Sequence, residues 1–225
     1  MTASVDGSIL YKRPGASFYQ HRTDGRDREV PTPPCFGEVR WAQRDGSGQL
    51  HYQCGDTIRR RSGELLGDGF ASTLPLAVTS SGLTVLSDAT GRIWVLDGDG
   101  NARVADGPGS WTGDLGGAGQ HTAAVGDSVF FARHRMYRDS TREELVVFRV
   151  DALDGSQRLV RRVAIHPRPR SWLALPDGRV LAVYDEPGGG TGTMVLDYPI
   201  DGAVSVAWRS LDSGTSVVQL LAVHH

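Results

Sequence analysis

Asp-Gly pairs punctuate this chain from end to end, each between two short apolar runs. They fall into two series. One is Asp6-Gly7, Asp45-Gly46 and Asp177-Gly178, with Ser81-Gly82 and Gly126-Asp127 in equivalent slots. The other is Asp24-Gly25, Asp99-Gly100, Asp154-Gly155 and Asp201-Gly202. Asp-Gly favours two-residue hairpin turns, because both central residues need positive φ, which Gly accepts freely and Asp tolerates. Hairpins at a regular period imply a repeated antiparallel unit.

The runs between the turns are rich in Val, Ile, Leu, Phe, Trp and Tyr and group in fours, here named A (innermost) to D (outermost). One unit reads Thr73–Val78, Leu83–Ser87, Arg92–Asp97 and Ala102–Ala105. The next reads Thr122–Val125, Val129–Arg133, Glu144–Asp151 and Arg158–Ile165. A third reads Trp172–Leu175, Val180–Tyr184, Thr193–Tyr198 and Val204–Arg209. A weaker unit precedes them: Glu38–Gln43, Gln49–Cys54, Thr57–Arg61 and Glu64–Leu66. Its Arg59-Arg60-Arg61 run is unusual for a strand and reads as a charged edge.

The two ends complement one another. Ser8–Lys12, Ser17–Arg22 and Arg28–Val30 match strands B, C and D with no A before them. Ser216–Val223 resembles an A strand with no B after it. Pairing the two would close a ring and remove its open edges. The A strands recur at roughly 45 residues, as in propeller blades. The expected fold is therefore an all-β, five-bladed β-propeller of four-stranded antiparallel blades, closed by the C-terminal strand on the N-terminal ones. The blades fall at about 216–225 plus 1–34, 35–70, 71–110, 120–166 and 170–212, in a single domain.

Two segments carry a resemblance. Asp88-Ala89-Thr90-Gly91-Arg92-Ile93-Trp94-Val95-Leu96-Asp97 and Leu175-Pro176-Asp177-Gly178-Arg179-Val180-Leu181-Ala182-Val183 resemble the repeats of NHL and strictosidine-synthase-like propellers. The likeness implies the β-propeller superfamily over the whole length and transfers no activity. The size is similar to that of five-bladed lectins and five-bladed glycosidases.

Composition narrows the function. A formal net charge of −2 provides no global field to steer nucleic acid. No run of eighteen apolar residues offers a membrane span. Lys12 is the sole lysine, an Arg bias that fits a GC-rich bacterial genome. The first residues lack the charged start and apolar stretch of a signal peptide. That leaves the compartment open between cytoplasm and export as a mature form. Cys35 and Cys54 fall at one end of blade 2, so a disulfide is possible and would imply export. Free thiols remain the alternative.

In a propeller the D–A and B–C loops share one face and the tight A–B and C–D turns share the other. The long loops here are Pro31–Phe36, Asp106–His121, His134–Glu143, Pro167–Arg170, Asp185–Gly192 and Asp212–Ser216. Function concentrates in such loops. The candidate ligand-binding residues are Trp111, His121, Arg133, His134, Tyr137, Trp172 and Asp185. Aromatic and Arg side chains together suit sugars, carboxylates or phosphates. Trp111 and Trp172 also read as blade-packing aromatics, while Trp41, Trp94 and Trp208 lie inside strand runs and read as core.

No metal or cofactor is expected. Asp97-Gly98-Asp99-Gly100-Asn101 imitates a calcium loop, but Ala102 and Pro108 break the pattern and a hairpin turn fits better. A glycosidase needs a pair of acids, and Glu38 is the one acid on the A runs. A Ser-His-Asp triad stays possible, since geometry rather than order defines it. The expected function is a monomeric, non-catalytic module that binds a glycan, protein or small-molecule ligand at the long-loop face. The alternative is a small-molecule lyase, cyclase or hydrolase with a His/Arg site at the channel mouth.

Overall fold

The computed structural model describes residues 2–3, 9–12, 18–22, 24–31, 35, 39–60, 65–67, 74–88, 91–105, 115–118, 122–137, 143–165, 167–185 and 192–209. Blade 1 comprises β1 (Thr2–Ala3), β2 (Ile9–Lys12), β3 (Phe18–His21) and β4 (Asp27–Val30). Blade 2 comprises β5 (Val39–Arg44), β6 (Leu50–Cys54), β7 (Thr57–Arg60) and β8 (Leu65–Gly67). Blade 3 comprises β9 (Leu74–Val78), β10 (Thr84–Ser87), β11 (Ile93–Leu96) and β12 (Ala102–Val104). Blade 4 comprises β13 (Leu115–Ala118), β14 (Ala123–Val125), β15 (Ser128–Met136), β16 (Glu143–Asp151) and β17 (Gln157–Ile165). Blade 5 comprises β18 (Ser171–Ala174), β19 (Val180–Asp185), β20 (Thr193–Tyr198) and β21 (Ser205–Arg209). Each blade is an antiparallel meander, and the five stand in a ring.

Two features depart from expectation. In blade 1, β1 pairs with β2 (Thr2↔Leu10, Ala3↔Ile9), so the chain supplies an inner strand ahead of Ile9. The segment expected to close the ring, Ser216–Val223, lies outside the described residues. In blade 4, the hairpin β15–β16 runs on to Met136↔Glu143, and β13 pairs with its extension (Leu115↔Arg135, Ala118↔Arg133). Residues expected in long loops, His134 to Met136 and Leu115 to Ala118, are therefore in strands. The apolar run from Val129 to Ala132 signals the strand; the polar end of it gives no such signal.

Strand alternation gives every blade two apolar faces, and the core lies between blades. Leu10 and Val30 of blade 1 meet Val39, Ala42, Leu50 and Tyr52 of blade 2. Ile58 meets Leu86 and Leu96 across blades 2 and 3. Phe131, Val146 and Phe148 fill the space between blades 3 and 4, with the Phe131 and Phe148 rings stacked at 5.5 Å. Phe130, Ala132, Leu145, Val147 and Val163 face Trp172, Ala182, Tyr184 and Tyr198 across blades 4 and 5. Each large side chain so buried contributes on the order of 2 kcal/mol relative to exposure. Trp208 is different from expectation: it is 39% exposed, on the outermost strand of blade 5.

The turns also differ in type. In Asp97–Asn101 the Gly100 N–H bonds to the Asp97 carbonyl, the Asp97 N–H bonds to Asn101, and Gly100 alone takes the left-handed φ of 88°. Residues 22–26, 45–49, 79–83, 88–92 and 175–179 repeat this pattern. These are three-residue hairpins, a type I turn followed by a left-handed Gly, rather than two-residue turns. They need one positive φ instead of two. The aspartates serve instead as acceptors: Asp97 Oδ1 takes the N–H groups of Asp99 and Asn101 at 2.9 Å each.

Polar contacts tie the turn ends of adjacent blades. Gly46 N–H donates to Ser80 O at 3.1 Å, and Ser80 N–H donates to Gly126 O at 3.0 Å. A Cβ on Gly46 would fall 2.5 Å from Ser80 O, which only Gly avoids. Arg103 of blade 3 donates to the carbonyls of Ala152 and Leu153 in blade 4. Arg161 of blade 4 donates to Pro199 O of blade 5 at 2.8 Å. The Arg60 guanidinium packs on Gly98 of blade 3, which accounts for one member of the unusual arginine run.

Deeper in, His51 links blades 2 and 3. Its Nε2 lies 3.1 Å from Asp45 Oδ2 and its Nδ1 lies 3.3 Å from Thr84 Oγ1. The neutral tautomer with Nε2–H donating to Asp45, and Thr84 donating to Nδ1, satisfies every group. Burial pushes the His51 pKa down, against the pull of Asp45. Burial opposes ionisation of Asp45, but hydrogen bonds from Ser47, His51 and Gln49 outweigh it and hold its pKa below the ordinary value. Elsewhere in blade 2, Cys35 and Cys54 form a disulfide spanning 19 residues, packed against the Leu10–Tyr52 core.

Two outcomes are expected. A Cys35→Ser/Cys54→Ser variant loses about 3 kcal/mol of stability, the entropy of a loop that size, measured by urea titration. Both His51 and Asp45 have folded pKa values below their unfolded ones, so both stabilise the fold above 6.5 and 3.8 respectively and lose that contribution as pH falls. Wild-type stability therefore drops as pH is lowered through 6.5. His51→Ala costs roughly 2–4 kcal/mol at neutral pH, by stranding buried partners, and flattens the pH dependence just below 6.5.

Candidate functional site

The strand directions place the start of β18 and the facing ends of β15, β16 and β19 at the long-loop face. Five expected site residues, Arg133, His134, Tyr137, Trp172 and Asp185, lie near it, and those of blade 4 face different sides of that blade. Trp111 and His121 lie outside the described residues, as does Glu38.

His134 and Trp172 lie on the side facing blade 5. His134 is 1% exposed, and its Nε2 lies 2.7 Å from Glu143 Oε2. Glu143 sits one diagonal step away on β16, since His134 itself opposes Leu145. His134 Nδ1 is buried and has no hydrogen-bond partner among the described residues. The Trp172 ring stands 6.0 Å from the imidazole, and its indole N–H donates to Ala132 O at 2.9 Å. That bond crosses from blade 5 to blade 4, so Trp172 packs the blades as well as neighbouring His134. Tyr184 and Tyr198 share a 2.6 Å hydroxyl contact in the same interface, and burial, that bond and the nearby Glu143 charge all push the Tyr184 pKa up.

Arg133 points the other way, into the interface with blade 3. It is 4% exposed, donates to Ser87 Oγ at 3.0 Å, and lies over the Phe131 ring. Burial lowers its pKa and the Asp88 charge opposes this. Its guanidinium fills the space beside Gly91, where a Cβ would collide with it. The expected pairing of Arg133 with His134 at one ligand does not occur, because adjacent residues of a strand face opposite sides.

A charged cluster that includes Tyr137, one of the expected site residues, flanks this face. Glu144 is 1% exposed and accepts a 2.7 Å bond from the Tyr137 hydroxyl. Arg135 and Arg162 each lie 3.6 Å from Glu144, and the Arg135 guanidinium stacks 4.7 Å from the Tyr137 ring centre. Two cations thus surround one carboxylate, and both remain partly exposed to solvent. Arg135 and Tyr137 were legible as a candidate loop; Glu144 and Arg162 become neighbours only through the β16–β17 register, in which Glu144 opposes Ala164. Asp185 is exposed and pairs with Arg170 at 2.9 Å on the same face of the ring.

The His51–Asp45–Thr84 chain has the elements of a relayed triad, but His51 and Thr84 are 0% exposed. It serves as a link between blades. Among the described residues no group of His, Cys, Asp and Glu could hold a metal ion, and no helix is long and apolar enough to cross a membrane.

No protein-family model matches the chain, and no curated protein matches it. Solved structures do. A streptogramin B lyase is 13% identical over 94% of this chain and 83% of its own, with a TM-score of 0.49. Virginiamycin B lyase from Staphylococcus aureus is 14% identical over 90% and 84%, with a TM-score of 0.46. A protein of unknown function from Bacteroides caccae is 11% identical over 95% and 76%, with a TM-score of 0.44. Likeness at this level says nothing of activity. The five antiparallel sheets, standing in a ring, give this chain the fold of a five-bladed β-propeller.

Proposed function

We propose that this propeller is a non-catalytic binding module that recognises an acidic group, on a glycan or a protein surface, through its long-loop face. The observation that carries the reading is the Arg135–Tyr137–Glu144–Arg162 cluster. Buried Glu144 holds the Tyr137 hydroxyl and steadies two partly exposed guanidinium groups. A guanidinium fixed before binding loses less entropy when it meets a carboxylate, and it meets it in a bidentate geometry. The Tyr137 ring beneath Arg135 adds a stacking surface suited to a sugar face. The disulfide supports an oxidising, extracytoplasmic setting, where such ligands are displayed.

The expected outcome is retention on an array of uronate-bearing glycans and not on their neutral counterparts. Arg135→Ala weakens that retention at least tenfold while Tm moves little, because Arg162 and Tyr137 still hold Glu144. Equal retention of acidic and neutral glycans, or an Arg135→Ala variant that binds like wild type, would overturn the reading.

A second reading, a small-molecule enzyme, draws on His134. With Nε2 held by Glu143, the buried Nδ1 is available as a base. Carbethoxylation mapped by mass spectrometry separates the two. A catalytic His134 reacts within minutes in the folded protein; a packing His134 reacts only on unfolding.

A further inference from the structure

We infer that Asp201-Gly202, in the C–D connection of blade 5, is a site of spontaneous backbone isomerisation to isoaspartate. The inference does not depend on the ligand proposed for the long-loop face, since this connection joins β20 to β21 at the tight-turn face. The reaction needs only water. The Gly202 nitrogen attacks Cγ of Asp201. The N–Cγ bond forms, a Cγ–O bond breaks, and the oxygen leaves as water with the Gly202 amide proton and one proton from solvent. Water then opens the cyclic imide. Attack at Cγ restores Asp201. Attack at the main-chain carbonyl carbon of Asp201 leaves the chain running through Cβ and Cγ, with a free α-carboxylate. One water leaves and one enters.

Attack requires a carboxyl group that is not aimed elsewhere and an amide nitrogen that is not committed to another partner. Other Asp-Gly turns fail on one count or both. Asp45 Oδ1 accepts the N–H groups of Ser47 and Gln49 at 2.9 Å each, and Gly46 N–H donates to Ser80 O. Asp177 is held by the Arg179 N–H and by its guanidinium at 2.6 Å, and Gly178 N–H donates to Leu175 O at 2.9 Å. Asp154 Oδ1 takes the Ser156 N–H at 2.7 Å, and Gly155 N–H donates to Asp151 O. Asp24 Oδ1 takes the Arg26 N–H at 3.1 Å, and Gly25 N–H donates to Arg22 O. Asp97, before Gly98, has both carboxylate oxygens occupied, one by the Asp99 and Asn101 N–H groups and the other by the Asn101 amide.

Asp201 is different. It is exposed, and its carboxylate has no hydrogen-bond or ion-pair partner among the described residues. Gly202 N–H makes no hydrogen bond among them either, and residues 200–204 make no backbone bond of the kind that closes 22–26 and 97–101. Gly202 takes a φ of 104° and has open space where a Cβ would stand, so no side chain shields its nitrogen. The following strand β21 is exposed along its whole length, so the connection can rearrange without disturbing a packed core. Asp99 comes second. Its carboxylate also has no partner among the described residues, but Gly100 N–H is bonded to the Asp97 carbonyl at 3.4 Å.

The test is to hold the folded protein in heavy-oxygen water at neutral pH for days, digest it in ordinary water and map the peptides by mass spectrometry. Each passage through the imide incorporates one solvent oxygen, and electron-transfer fragmentation tells isoaspartate from aspartate. Label and isoaspartate are expected to accumulate first at Asp201 and next at Asp99. They accumulate about tenfold more slowly, or slower still, at Asp45, Asp97 and Asp177, whose carboxylates are held off the attack geometry. In urea the rates at these positions converge, because the hydrogen bonds that separate them are gone. Asp201→Ser removes the signal at that position and keeps the wild-type Tm. Labelling at Asp201 no faster than at Asp45 or Asp177, or a ranking that persists unchanged in urea, would overturn the inference. So would a Tm lowered by Asp201→Ser, which would show the carboxylate to be held in the fold.

Discussion

The contact between one blade's face and the next is the constraint on which this structure depends. A single four-stranded meander exposes two apolar faces and has no interior of its own. Among the described residues the faces between blades 1 and 2, 2 and 3, 3 and 4, and 4 and 5 find their partners, as Phe131 and Phe148 do against blade 3 and Phe130 and Leu145 do against Trp172 and Tyr184. The geometry that buries these residues also brings backbone groups of neighbouring turns together. Arg103, Arg161 and the Gly46–Ser80–Gly126 chain of hydrogen bonds satisfy them. His51 does the same within the protein, where a buried carboxylate is tolerable because it accepts several hydrogen bonds at once.

The same contact divides the candidate site. Residues at the long-loop end of blade 4 alternate between the interface with blade 3 and that with blade 5. Arg133 is drawn into one and His134 into the other, and Trp172 is held by the Ala132 carbonyl. Arg133 and His134, neighbours in the sequence, thus face different interfaces once the strand extends. What is left at the surface is chiefly charge: Arg135 and Arg162 around Glu144, and Arg170 with Asp185.

Arginine plays three roles here, and its surroundings decide which. Arg103 and Arg161 find carbonyl acceptors and tie blades together. Arg133 is buried against an aromatic ring and a serine. Arg135 rests on the Tyr137 ring, partly exposed and paired with Glu144. The bias toward arginine visible in the composition is thus put to work as a long, multi-donor side chain that can reach from one blade to another.

Much of the architecture was legible in the amino-acid order. Short apolar runs bounded by turn residues marked the strands from Thr84 to Tyr198, because strands packed on both faces are apolar throughout, and Gly at each turn marked the hairpins, because left-handed φ needs it. The type of turn was not legible: Asp97-Gly98-Asp99-Gly100 contains two Asp-Gly pairs, and only the hydrogen bonds show that Gly100 takes the positive φ. Nor was the extension of β15 through His134 to Met136, since a polar strand end lacks an apolar signature and is specified by its partners, β13 and β16. The Glu144–Arg162 and His51–Thr84 contacts join residues distant in the chain and depend on strand register and blade order. The sequence by itself determined that this chain makes repeated antiparallel units, through short-range pattern. Tertiary structure alone decided which polar side chains became links between blades and which stayed at the surface, because that depends on what each faces across the next interface.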